Sequence, residues 1–138
     1  MAIKPIFKDE HCEITQIGPR ALKLKFSGFL KVANLASVQA FMDTFTRNNA
    51  YELLLIDHSG LKVLSKEVQD YMSNTITHIA NKGVKRVAMI EAEDVFAKAG
   101  FEKLHREVNA DRVPRALFQS EKAAQEWLLS PEINAPHK

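Results

Sequence analysis

The chain has 138 residues, 46% of them hydrophobic and 26% charged, which is the composition of one folded domain rather than of a disordered chain. Its 19 basic and 17 acidic residues leave a net charge of +2, so no broad basic surface for nucleic acid or anionic lipid is expected. Cys12 is the only cysteine, which excludes an intrachain disulfide, and the longest aliphatic run, Leu53–Ile56, is too short to cross a bilayer. We therefore expect a cytoplasmic protein without a transmembrane segment.

The amino-terminal part of the chain is predicted to form a hairpin of two strands. Residues 11–17 are consistent with an opening strand that carries Cys12, Ile14 and Gln16 on one side. Apolar and polar residues then alternate over residues 22–27, which is typical of a strand with one solvated face. Gly28 interrupts this alternation and indicates a bulge or a close backbone approach.

Helical and strand patterns alternate along the rest of the chain. Apolar residues at three- and four-residue spacings predict a helix from Leu35 to about Asn48, and Leu53–Ile56 is interpreted as a buried strand. Three further units follow: a helix from about Ser65 to Gly83 with the strand Val87–Ile90, a helix from about Asp94 to Val108 with the strand Ala116–Phe118, and a last helix that Ser120 caps.

The predicted order is ββαβαβαβα, an α/β fold with a mixed sheet of about five strands and four helices. The alternation predicts parallel strands joined by crossover helices, preceded by one antiparallel hairpin. We expect a single domain over residues 10–130, with flexible tails at residues 1–9 and 131–138.

Three segments in this order resemble the STAS domain, and in particular its SpoIIAA-like branch. Residues 21–28 resemble the early strand that ends in Ser-Gly, and residues 54–61 resemble the central strand with its Asp-x-Ser-Gly turn. Residues 116–128 are similar to the closing strand and the helix with an Ala and a Trp-Leu pair. The resemblance covers residues 11–129 and implies the STAS fold, which is shared by sulphate-transporter tails and anti-sigma-factor antagonists.

The family that these segments resemble includes antagonists that are phosphorylated. In those proteins a serine at the start of the helix after the central strand receives the phosphate. In one register Lys66 occupies the acceptor position, and in a rival register His58 does. We favour the first because the helical spacing begins near Ser65. In either register the acceptor serine is missing, so the resemblance does not predict the standard serine switch.

The segment Asp57-His58-Ser59 contains the residue types of a catalytic triad. An extended strand would place His58 on the face opposite to Asp57 and Ser59, and a turn would engage Asp57 and Ser59 with nearby backbone amides. Turn formation is the favoured interpretation. Phosphorylation of Ser59 or of Ser65, the predicted helix cap, remains an alternative that rests on the family's switch region.

No metal or cofactor site is predicted, because the five histidines lack metal-ligand spacing and the five glycines are scattered singly. The histidines are interpreted as surface residues. The basic stretch of residues 82–86 is interpreted as a solvated helix end, where cations are favourable.

If the chain has a functional surface, it is expected at the carboxyl ends of the parallel strands, where ligands of α/β sheets gather. The candidate interaction or switch residues are Asp57, His58, Ser59, Gly60, Ser65, Lys66 and Phe96. The leading interpretation is a non-enzymatic protein-interaction or regulatory module, with a second copy of the chain among the candidate partners. The alternative is a carrier of a small apolar ligand or lipid, and an enzyme would need converging titratable groups.

Overall fold

The structure, a computed structural model, describes residues 5–49, 51–62, 65–80, 83–94 and 115–130. Its strands are β1 (Phe7–Lys8), β2 (Cys12–Gly18), β3 (Ala21–Gly28), β4 (Leu53–Leu61), β5 (Arg86–Ile90) and β6 (Arg115–Phe118). The helices among the described residues are α1 (Val32–Asn48), α2 (Lys66–Ala80) and α3 (Glu121–Leu128). In that part of the chain, no helix is long and apolar enough to cross a membrane.

The six strands form one sheet in the order β1-β2-β3-β4-β5-β6. The first three pair antiparallel, and β3 to β6 pair parallel. Strands laid down in sequence order, with right-handed crossovers, bring consecutive crossover helices to the same face of the sheet. The helices α1 and α2 accordingly pack against each other, and their polar contacts include a 2.8 Å pair between His78 Nε2 and Asp43 Oδ1.

Alternating side chains of the strands fill two separate hydrophobic layers. The layer beneath α1 and α2 holds one set of strand residues, among them Ile14, Leu24, Leu54, Ile56 and Met89. The opposite layer, beneath α3, holds Leu55, Ala88, Ile90, Ala116 and Phe118. Because β4 and β5 are covered on both faces, their sequences are apolar without alternation, as the unbroken run at residues 53–56 predicted.

The mixed α/β fold is confirmed, although the element counts differ slightly. The sheet has six strands rather than about five, because Phe7 and Lys8 pair antiparallel with β2. The predicted helix from about Asp94 to Val108 lies almost entirely outside the described residues. Gln16, predicted on the same side of β2 as Cys12 and Ile14, is exposed, whereas those two residues are buried.

A polar network at the carboxyl end of β3 fixes the start of α1. The Asp9 Oδ1 atom accepts hydrogen bonds from the backbone amides of His11 (2.9 Å) and Cys12 (2.8 Å), and its Oδ2 atom accepts one from Asn34 Nδ2 (3.2 Å). Asn34 Oδ1 in turn accepts from the Lys31 amide at 3.0 Å. A loop carboxylate therefore connects β2 to the first turn of α1, which has no acidic residue of its own.

The carboxyl end of α3 covers a buried cation. Arg86, only 7% exposed, donates from Nη1 to the carbonyl oxygen of Trp127 at 3.1 Å, and its guanidinium carbon lies 5.9 Å from the centre of the Trp127 ring. The interpretation of residues 82–86 as a solvated stretch is therefore wrong for Arg86. The prediction placed these cations at the end of α2, whereas the Arg86 guanidinium lies at the C-terminus of α3, where a cation is also favourable.

Candidate functional site

The candidate residues on β4 lie in a bulged strand rather than in a turn. Lys25 of β3 pairs with Asp57, and the next pair joins Ser27 to Gly60, so two residues of β4 stand opposite one residue of β3. A Cβ atom added at Gly60 would lie 3.2 Å from Ser27 Cβ, which explains the glycine at this close approach. The predicted turn is therefore corrected to a β-bulge, a feature that re-aims side chains next to functional sites.

The bulge directs His58 into the core. Its side chain is 0% exposed, its ring centre lies 6.0 Å from that of Phe26, and its Nδ1 atom is 3.2 Å from the carbonyl oxygen of Ile90. The interpretation of the histidines as surface residues is wrong here. A His58 side chain in this position connects β4 to β5.

Asp57 and Ser59 interact through the backbone. The Asp57 Oδ1 atom accepts a hydrogen bond from the Ser59 amide at 2.9 Å, which is the side-chain-to-backbone bond predicted for this segment. Asp57 is only 4% exposed, and Ser59 is half-buried. Among the described residues, no group of three His, Cys, Asp or Glu side chains could hold a metal ion.

Two of the remaining candidates stand at the start of α2. The Ser65 Oγ atom accepts a hydrogen bond from the Val68 amide at 3.1 Å, which confirms the predicted helix cap. Lys66 is exposed and pairs with Asp70 at 3.5 Å. Phe96 lies outside the described residues, so its proposed contact stays a prediction.

An exposed aromatic residue that the sequence analysis missed lies at the end of β3. Phe29 is 62% exposed, more than Ile6 (37%) or Leu129 (44%), the other exposed large hydrophobic residues in the described part of the chain. Gly28 precedes it with φ of 69°, and the Lys62 amide donates to the Gly28 carbonyl oxygen at 2.9 Å. The turn at Gly28 therefore places Phe29 at the edge of the sheet, beside the carboxyl end of β4.

We define the carboxyl edge as residues 28–31, 59–62 and 91–94, where β3, β4 and β5 end. The Glu93 amide donates to the Ser59 carbonyl oxygen at 3.3 Å, which connects the last two of these segments. Next to them, Glu91, Ala92, Glu93 and Gln119 line an open cavity of about 340 Å³. The carboxyl edge thus combines an exposed ring, lysines and carboxylates.

The only cysteine is predicted to be chemically inert in the folded protein. Burial, followed by the nearby Asp9 carboxylate, raises the pKa of the Cys12 thiol to about 12, and its side chain is 3% exposed. At pH 8 only about one thiol in ten thousand would then be ionised, and the thiolate is the reactive form. Titration with a disulfide reagent should release none of the reagent's thiol from native protein and one equivalent of that thiol per chain in denaturant. Free cysteine is the control. Rapid release from the native protein would contradict this assignment.

Comparison with known proteins supports the fold. No protein-family model and no curated protein matches the sequence. Four solved chains match by structure. One of these is an uncharacterized DUF3478-family protein with a SpoIIAA-like fold from Shewanella loihica PV-4, with a TM-score of 0.57, 17% identity and 92% of each chain covered. The chain therefore has a SpoIIAA-like fold, as the three resembling segments predicted.

Proposed function

We propose that this chain is a non-enzymatic protein-interaction or regulatory module that binds its partner at the carboxyl edge of its sheet. The observation that carries the proposal is Phe29, a large apolar side chain that is 62% exposed at this edge. Aromatic residues surrounded by polar ones are typical anchors of protein interfaces. Phe29 is flanked by the exposed residues Lys31 and Lys62, so it has such a rim.

The contacts of the candidate triad residues support a structural role for them. Asp57 bonds a backbone amide and the His58 Nδ1 atom lies near a backbone carbonyl oxygen, so both stabilise the bulge that shapes the edge. The partner would instead contact Phe29, Ser65, Lys66 and the exposed atoms of Ser59 and Gly60. We retain Phe96 as a further contact residue.

We further propose that the module works without the standard serine phospho-switch. Lys66, at the acceptor position in the favoured register, is the first residue of α2, and His58, at that position in the rival register, is buried. We propose that residues 10–130 act as one domain in the cytoplasm, where a single buried thiol is compatible with a reducing environment.

Site-specific photo-crosslinking in the native cells tests the proposed surface. A benzophenone amino acid at position 29 should form a discrete protein adduct, because the side chain there would lie inside the interface. The matched control carries the same group at Arg47, an exposed residue in the last turn of α1 at the opposite end of the sheet. Equal adducts at both positions, or none at position 29 under several growth conditions, would contradict the proposal.

A further inference from the structure

The two halves of the carboxyl edge carry opposite charges. Lys31 and Lys62 flank Phe29 where β3 and β4 end, and both lysines are exposed. Lys31 lies 4.0 Å from the Glu10 carboxylate, so Lys62 is the lysine used in the pairing below. Glu91, Glu93 and Asp94 follow β5, and Glu93 is exposed. We call these sets the basic half and the acidic half. The basic half follows β3 and β4, and the acidic half follows β5.

Backbone contacts fix how the halves are arranged. The Lys62 amide bonds to the Gly28 carbonyl oxygen at 2.9 Å, and the Glu93 amide bonds to the Ser59 carbonyl oxygen at 3.3 Å. Ser59 and Lys62 both lie at the end of β4, so Lys62 is one strand spacing, or about 5 Å, from the end of β5, and Lys31 after β3 is two spacings, or about 10 Å, from it. Charges at such a separation form a surface with a positive and a negative end.

A surface with this pattern is complementary to itself. Rotation by 180° about an axis through its centre brings the basic half of one copy onto the acidic half of the other, and each contact then occurs twice. Such a rotation also carries each Phe29 ring, which lies in the basic half, towards the acidic half of the opposite copy. Lys62 is exposed, so its ammonium group is accessible to a carboxylate of a second copy.

We propose that the occupant of the carboxyl edge is a second copy of this chain, in a two-fold dimer in which Lys62 of each protomer faces Glu93 of its partner. This inference rests on the proposed function and names its partner. Phe29 supplies an apolar contact beside the paired charges, and these charges fix the relative orientation of the protomers.

Charge exchange provides the test. Sedimentation velocity over a range of protein concentrations should show a dimer, and Lys62→Glu or Glu93→Lys should each raise the dissociation constant at least tenfold, because like charges then meet twice. The double exchange should restore association, since opposite charges would again face each other at both contacts. Phe29→Ser should also weaken the dimer. Arg47→Glu, the same charge change at the opposite end of the sheet, should leave it unchanged.

Three results would overturn the inference. These are a wild-type monomer at millimolar concentration, a dimer indifferent to both single exchanges, and a double exchange that fails to restore association while circular dichroism shows native structure. A monomeric protein that still forms a position-29 adduct with a different protein would overturn the dimer but leave the proposed function intact. Absence of that adduct would instead contradict the proposed function.

Discussion

Replacing Trp127 with alanine should lower the free energy of unfolding by about 3–5 kcal/mol, the usual cost of removing a buried aromatic side chain. The Trp127 ring is 6% exposed and lies 5.9 Å from the ring of Phe118, centre to centre. It also covers the Arg86 guanidinium on one side. Removal of the Trp127 side chain would therefore both open a cavity and expose the buried Arg86 guanidinium.

Urea denaturation followed by far-ultraviolet circular dichroism measures this loss, because Trp127 is the only tryptophan and its fluorescence disappears with it. Leu129→Ala, close by at a side chain that is 44% exposed, is the control and should change stability by less than about 0.5 kcal/mol. In the Arg86→Met variant, Trp127→Ala should lower the free energy of unfolding by about 0.5–2 kcal/mol less than it does in the wild type. This difference is the range of a cation–π pair. A Trp127→Ala loss below about 1 kcal/mol would contradict the packing described for α3.

The parts of the fold that depend on local periodicity could be predicted from the sequence. Leu22, Leu24 and Phe26 alternate because one face of β3 is covered by α1 and α2, and all three are buried. Ser120 and Ser65 cap helices as predicted, because a cap bonds an amide only three residues away. These signals need no knowledge of the rest of the chain.

The parts that depend on distant pairing could not be predicted. His58 is buried because β4 bulges against β3, and the bulge depends on a register set by a strand much earlier in the chain. Arg86 is buried by Trp127, 41 residues away in sequence. A histidine after a buried strand and an arginine after a lysine both resemble surface residues until these pairings are known.

The proposed binding surface shows the same division between local and distant signals. The sequence indicated the carboxyl edge because ligands of α/β sheets gather at the carboxyl ends of parallel strands, and its use as a binding surface stays a prediction. It missed Phe29, because an apolar residue between a strand and a helix is usually part of the core. Only the left-handed conformation at Gly28 and the position of Lys62 beside it reveal that the ring points to solvent.

Replacing Asp9 with alanine is expected to lower the free energy of unfolding by about 1–3 kcal/mol, since its loss removes the acceptor of three hydrogen bonds. Two backbone amides and the Asn34 side chain donate to this carboxylate. Glu10→Ala, next to it and exposed, is the control; its pairs with His11 (3.5 Å) and Lys31 (4.0 Å) contribute less than about 1 kcal/mol.

The pH dependence of this loss distinguishes a charged from a neutral acceptor. Burial acts to raise the pKa of the Asp9 carboxyl, but hydrogen bonds from His11, Asn34 and Cys12 outweigh it and hold the pKa below its usual value. Because the folded-state pKa is the lower one, this stabilisation is complete above the unfolded-state pKa of about 4 and is lost as the pH falls through the folded-state value. Urea denaturation of the wild type and Asp9→Asn should therefore differ at pH 7 and converge as the pH falls below about 4. A difference that stayed constant with pH would show that the Asp9 charge does not stabilise the junction between β2 and α1.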